Sequence, residues 1–195
     1  TTLFRSNISG VQWTAMDPPL RETMLARGDV DAITGFSFTS LLNLEARGVK
    51  ESDVVVLPYA NHGVKLYGNV IIATPKLINE NPAAVRAFLA AFAKGAREVM
   101  AKPEAAIEYV KQRDGIINTA LETRRLKMAV DGVIASPDAR AEGFGQVNAG
   151  RLSLMASQVS DTFNTKQRVN PDAVWNGKFL PPAKDLDVLP PAARK

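Results

Sequence analysis

The residues of this chain best suited to holding a small molecule are Gly35, Phe36, Ser37, Phe38 and Thr39. Two rings offer flat apolar faces, two hydroxyls can donate or accept, and the glycine lets backbone come close. No charge interrupts the run. Phe36 and Phe38 have two readings: they pack under the loop as core aromatics, or they form a stacking wall for a flat ring. Ser37 and Thr39 suit helix N-caps, and a helix start also turns free N–H groups toward an anionic ligand. A second group, Tyr59, Asn61 and His62, follows a strand-like run, and Tyr67 and Asn69 lie in the same loop region. Loop positions carry function more often than core positions do. Polar loop tips are also what water requires, and Asn69 could simply bond backbone at a hinge.

Other chemistries are poorly supplied. There is no cysteine and only one histidine, His62. Cysteine nucleophiles, zinc ribbons and multi-histidine metal sites are therefore excluded. Asp29 and Asp31 would share a side if both lay in a strand, and paired carboxylates can do acid–base work. No catalytic partner stands near them in sequence. Glu104, Glu108 and Lys111 read as one solvated helix face, and Trp13 reads as core rather than ligand wall. The expectation is no catalytic residue, no metal and no cofactor. A net charge of +4 with interleaved signs, and no basic block, argues against a nucleic-acid partner. No apolar run approaches the about 20 residues that span a bilayer.

These residues need elements to position them. Residues 11–15, 30–34, 53–57 and 70–73 are short, apolar and rich in β-branched side chains, and they read as strands. Helices are expected between them. One starts at Asp17-Pro18-Pro19 and ends at Gly28; another carries Leu41, Leu42 and Leu44 and stops at Gly48. That alternation predicts a parallel sheet with helices packed on it over about residues 11–66. From residue 78 the pattern turns helical. Asn81-Pro82 opens a helix with Val85, Phe88, Leu89, Phe92, Ala96, Val99 and Met100 at helical spacing. Lys102-Pro103 opens a second, Leu121 to Val130 form a third, and Asn148 caps a fourth with Leu152, Met155, Val159 and Phe163 as its stripe. The composition shift over 66–76 marks a hinge between lobes.

Asp17-Pro-Pro-Leu-Arg-Glu, Gly28-Asp-Val-Asp-Ala-Ile, Leu57-Pro-Tyr-Ala, Leu66-Tyr-Gly-Asn and Asn81-Pro-Ala-Ala-Val-Arg-Ala-Phe occur in that order. In these elements the chain resembles the periplasmic solute-binding proteins of ABC importers, of the nitrate/sulfonate/taurine type, with its thiamine-pyrimidine-precursor binders. The resemblance implies an α/β, type II periplasmic-binding-protein fold: two lobes, a hinge, and a ligand in the cleft. On that reading residues 1–66 are the later part of lobe two. Residues 67–195 are a hinge strand and the mostly helical return of lobe one. The opening Thr1-Thr2-Leu3-Phe4 reads as the interior of a longer protein, so the fold is expected to be incomplete at its N-terminus. The resemblance further implies a periplasmic or exported protein, with or without a membrane tether, a monomer when complete. It would capture a small heteroaromatic or anionic solute and deliver it to an ABC permease. Gly35, Phe36, Ser37, Phe38, Thr39, Tyr59, His62, Tyr67 and Asn69 are the ligand-binding candidates. Thiamine-pyrimidine synthases share that fold and supply an enzymatic alternative, but they use a cysteine-rich motif that this chain lacks. A sensory or interaction domain on the same fold is a third.

Overall fold

The computed structural model describes residues 10–190, and within them the regular structure is helical throughout. The Thr1–Phe4 opening lies outside the described residues. The chain divides into two compact units between Val55 and Val56.

The first unit holds a 3-10 turn at Pro18–Leu20, helix α1 (Arg21–Arg27), helix α2 (Ser37–Glu45) and a second turn at Glu51–Asp53. The prolines sit at the start of the first turn, where a missing N–H costs nothing. Gly28 ends α1 in the left-handed conformation, φ 77°, which only glycine adopts readily. Leu42 and Leu44 are buried, Leu42 completely. Between the helices the Glu22 carboxylate, also buried, accepts the Ser40 hydroxyl at 2.7 Å. Arg47 Nε donates to Thr23 Oγ1 at 2.9 Å, and Arg21 Nη1 donates to the Thr34 carbonyl at 3.1 Å.

The second unit begins with a 3-10 turn at Tyr59–His62 and continues through α3 (Pro75–Glu80), α4 (Pro82–Ala101), α5 (Pro103–Arg113) and α6 (Thr119–Ala129). A five-residue π-helical stretch, Val130–Ile134, prolongs α6. Then come α7 (Pro137–Glu142), α8 (Ala149–Thr162), α9 (Pro171–Val174), a 3-10 turn at Gly177–Phe179, and α10 (Ala183–Leu186). Side-chain oxygens of Thr74, Asn81, Asn118, Ser136, Asn148 and Asn170 each accept a backbone N–H at the start of the following helix. Such caps satisfy donors that a helix cannot satisfy internally. The core joins Met100 of α4 to Ala135, Val188 and Leu189, with Ala96, Val130, Ile134 and Phe144 packed around them. Arg97 on α4 secures the C-terminal segment through the carbonyls of Lys184, Asp185 and Asp187, at 3.0–3.3 Å.

The strands expected at 11–15, 30–34, 53–57 and 70–73 are absent: no strand occurs among the described residues. The parallel sheet and the type II periplasmic-binding-protein fold are therefore corrected to a helical architecture. The physical reason lies in partners rather than in local conformation. Val54 does adopt extended backbone, φ −109° and ψ 124°. A strand, however, exists only with a neighbour to complete its N–H and C=O bonds. No inter-strand pairing forms at any of these runs. Several of their apolar side chains stand in solvent instead: Val55 is 84% exposed and Ile72 86%. Trp13, read as core, is also exposed.

Candidate functional site

The Gly35–Thr39 run forms the entry to α2. Phe36 is the N-cap residue, in extended backbone at φ −82° and ψ 127°, and its carbonyl accepts the N–H groups of Thr39 and Ser40, both at 2.9 Å. The cap is thus made by backbone geometry. Ser37 is the first helical residue and Thr39 the third, so neither is the N-cap that its hydroxyl predicted.

The two rings come together. Phe36 and Phe38 stack with centroids 5.2 Å apart and planes at 23°, inside the range preferred by offset aromatic pairs. Phe38 is half-buried and backs the pair, whereas Phe36 is 44% exposed. The two readings left open by the sequence therefore divide between the rings, one supporting and one facing solvent. No charged side chain belongs to the run, so a ligand meeting it would meet a flat, apolar and polarisable surface.

Gly35 matters sterically. A Cβ built there would lie 2.6 Å from Ser40 Oγ, closer than real Cβ contacts. The Ser40 hydroxyl is held in that place by Glu22. The platform is thereby linked to α1 through one hydrogen bond and one close backbone approach.

The remaining candidates belong to the second unit. Tyr59 and His62 bound a 3-10 turn and are both exposed. Asn69 is exposed in the segment that precedes α3. Tyr67 is engaged with α8. The Arg151 guanidinium stacks over its ring, 4.3 Å from the centroid. Its hydroxyl accepts the Asn148 N–H at 2.8 Å, and its own backbone N–H points to Met155 Sδ at 3.4 Å.

Around Tyr67 lies an arrangement that the sequence reading missed. Arg151, Met155 and Gln158 are spaced i, i+4 and i+7, so they form one stripe on α8. Arg151 donates to the carbonyls of Lys65 and Leu66, at 3.2 and 2.7 Å, and pairs with Asp138 at 2.5 Å. Gln158 Nε2 donates to the Gly63 carbonyl at 3.0 Å, while its Oε1 is buried without a hydrogen-bond partner. The stripe holds residues 63–67 by their backbone. The spacing of long polar side chains beside the apolar stripe was the available signal. Their partners, more than eighty residues earlier, gave none.

Among the described residues one open depression is lined by Thr14, Ala15, Met16, Asp17, Leu20 and Met24, and another lies around Arg97 and Lys184. Neither is lined by any of the nine predicted site residues. Among the described residues no group of three or more carboxylate or histidine side chains could hold a metal ion. Nor is any helix among them long and apolar enough to cross a membrane.

The family model described as NMT1/THI5 like matches residues 7–106, just over half of the 195 residues and including the whole Gly35–Thr39 platform. No curated protein and no solved structure matches the chain. The identification with ABC-importer solute-binding proteins is corrected by the fold. That role needs sheet-built lobes to make a capture cleft, and the described residues form no sheet. The transport function and the nitrate, sulfonate, taurine and thiamine-precursor ligands drawn from that identification fall with it.

Proposed function

The chain belongs to the NMT1/THI5-like family, and on that premise we propose that its first unit binds a small planar molecule on the exposed ring of Phe36. One observation carries the reading: an exposed phenylalanine is backed by a second, half-buried ring at 5.2 Å. A lone exposed aromatic is commonplace. A stacked pair at the uncharged start of a helix presents a stiff face to which a third ring can add, as bases add to aromatic platforms. The ligand class is a neutral heteroaromatic, because no charged side chain belongs to the run. The binding is surface stacking on one unit, with no closing cleft.

The reading is one of binding without turnover: the run holds no base that could activate the Ser37 or Thr39 hydroxyl. An extracytoplasmic location completes the proposal, and a cysteine-free composition is compatible with it. Cell fractionation with an antibody to the chain checks it.

Calorimetric titration with pyrazine, a neutral planar heteroaromatic, against 1,4-dioxane, a saturated non-planar ring of the same size, tests the platform. The planar probe should bind and the saturated one should not. Phe36→Ala should cost about 1–3 kcal/mol of binding, the range for base–aromatic stacking. Equal affinity of wild type and Phe36→Ala would overturn the platform. Conversion of the probe during prolonged incubation would overturn the non-enzymatic reading.

A further inference from the structure

We propose that Glu22 and Ser40 are positioning residues for the Phe36 platform, an inference that rests on the binding role just described. Three observations converge on it. Glu22 is only 4% exposed although it is a carboxylate, and buried carboxylates are rare unless partnered. Its partner is the Ser40 hydroxyl at 2.7 Å, a charge-assisted bond that crosses from α1 to the first turn of α2. The same hydroxyl lies where only a glycine at position 35 leaves room for it.

Together these fix the turn. Ser40 is joined to Phe36 by its backbone N–H at 2.9 Å and to α1 by its side chain. Gly35 packs its bare Cα against the same oxygen. The Phe36 carbonyl is therefore held by the Ser40 N–H, and the Ser40 hydroxyl, for which a glycine at position 35 leaves room, is oriented by one buried acid. A ring on a turn so fixed keeps its stack on Phe38 before any ligand arrives, which lowers the ordering cost of binding. Without the lock, the turn would sample other entries to α2 and the pair would come apart.

The test uses the full chain with labelled phenylalanine, reading the inter-ring NOE between Phe36 and Phe38 in the free protein and the Kd for pyrazine. Ser40→Ala should abolish the NOE and raise Kd at least fivefold, with the far-UV circular dichroism unchanged. Glu22→Ala removes the acceptor and should lose the NOE as Ser40→Ala does, an intact NOE there overturning the role of Glu22, whereas Glu22→Gln keeps an acceptor oxygen for the hydroxyl and should retain the NOE and stay within twofold of wild-type Kd. Should Ser40→Ala lose helical signal, Gly35→Ala displaces the hydroxyl without deleting it and should give the same NOE loss. An intact NOE in the folded Ser40→Ala protein, or in Gly35→Ala, would overturn the lock. If the wild type fails to bind the probe, the binding role falls while the NOE still decides whether Glu22 and Ser40 set the rings.

Discussion

Residues 70–73 and residues 149–162 make an instructive pair. Both carry apolar side chains, the first in a β-branched run that predicts a strand and the second at helical spacing. Only the second becomes regular structure. In α8 every interior N–H finds its acceptor four residues back, inside the same segment. Its stripe of Leu152, Ala156 and Ser160 is then buried as one face. In Val70-Ile71-Ile72 the acceptors would have to come from another segment, and none is provided; the three side chains are 62%, 47% and 86% exposed. A helix is a statement about a segment, whereas a strand is a statement about a pair.

The sharpest way to break this comparison is to cut both kinds of site. Leu42→Ala removes a completely buried side chain and should destabilise the first unit by about 2–5 kcal/mol. Ile72→Ala touches an exposed one and should stay within about 0.5 kcal/mol. Urea unfolding of both variants checks this. A large loss at Ile72 would mean that the run is packed after all.

A smaller effect sharpens the helical side. Asn148→Ala deletes the side-chain oxygen that accepts the Arg151 N–H at 3.0 Å, and should cost about 1 kcal/mol in the same denaturation measurement. Arg151→Met keeps the stem and removes the guanidinium. It should leave the helix content of α8 unchanged yet free residues 63–67, seen as faster amide exchange at Tyr67. Unchanged protection there would show that Met155 and Gln158 suffice.

The smallest effect is electrostatic. Lys127 lies 2.6 Å from Glu104, linking α5 to α6, and its hydrogen bond holds the Glu104 carboxyl below the usual range. A depressed folded pKa gives stability that is present above the unfolded pKa, near pH 4.5, and lost as pH falls through the folded value. The pair is solvent-exposed and screened. Lys127→Met should therefore flatten the acid limb of the stability curve only slightly, and less at high salt.

How far the sequence could be read follows from the same contrast. Asn81 and Asn148 cap the helices that their positions predicted, and Gly28 ends α1 at positive φ as a terminal glycine should. These signals are local. The strands at 11–15, 30–34, 53–57 and 70–73 were legible as β-propensity, which measures fit to a pleated, half-buried surface, but propensity carries no information about whether that surface exists. At the site, the two rings were legible as core aromatics or as a stacking wall, but their stacking on each other was not. The Ser40–Glu22 bond spans eighteen residues and the bonds from Arg151 to the Lys65 and Leu66 carbonyls more than eighty, so neither left a pattern to read.

Hydrogen–deuterium exchange on the full chain tests the central claim most directly, that the extended apolar runs lack backbone partners while the helices close their own. The amides of residues 55–57 and 68–73 should exchange at close to unstructured rates, and those in the middle of α4 and α8 should be protected by several orders of magnitude. Protection of residues 70–73 equal to that of α4 would mean that a sheet forms there, and would contradict the helical account.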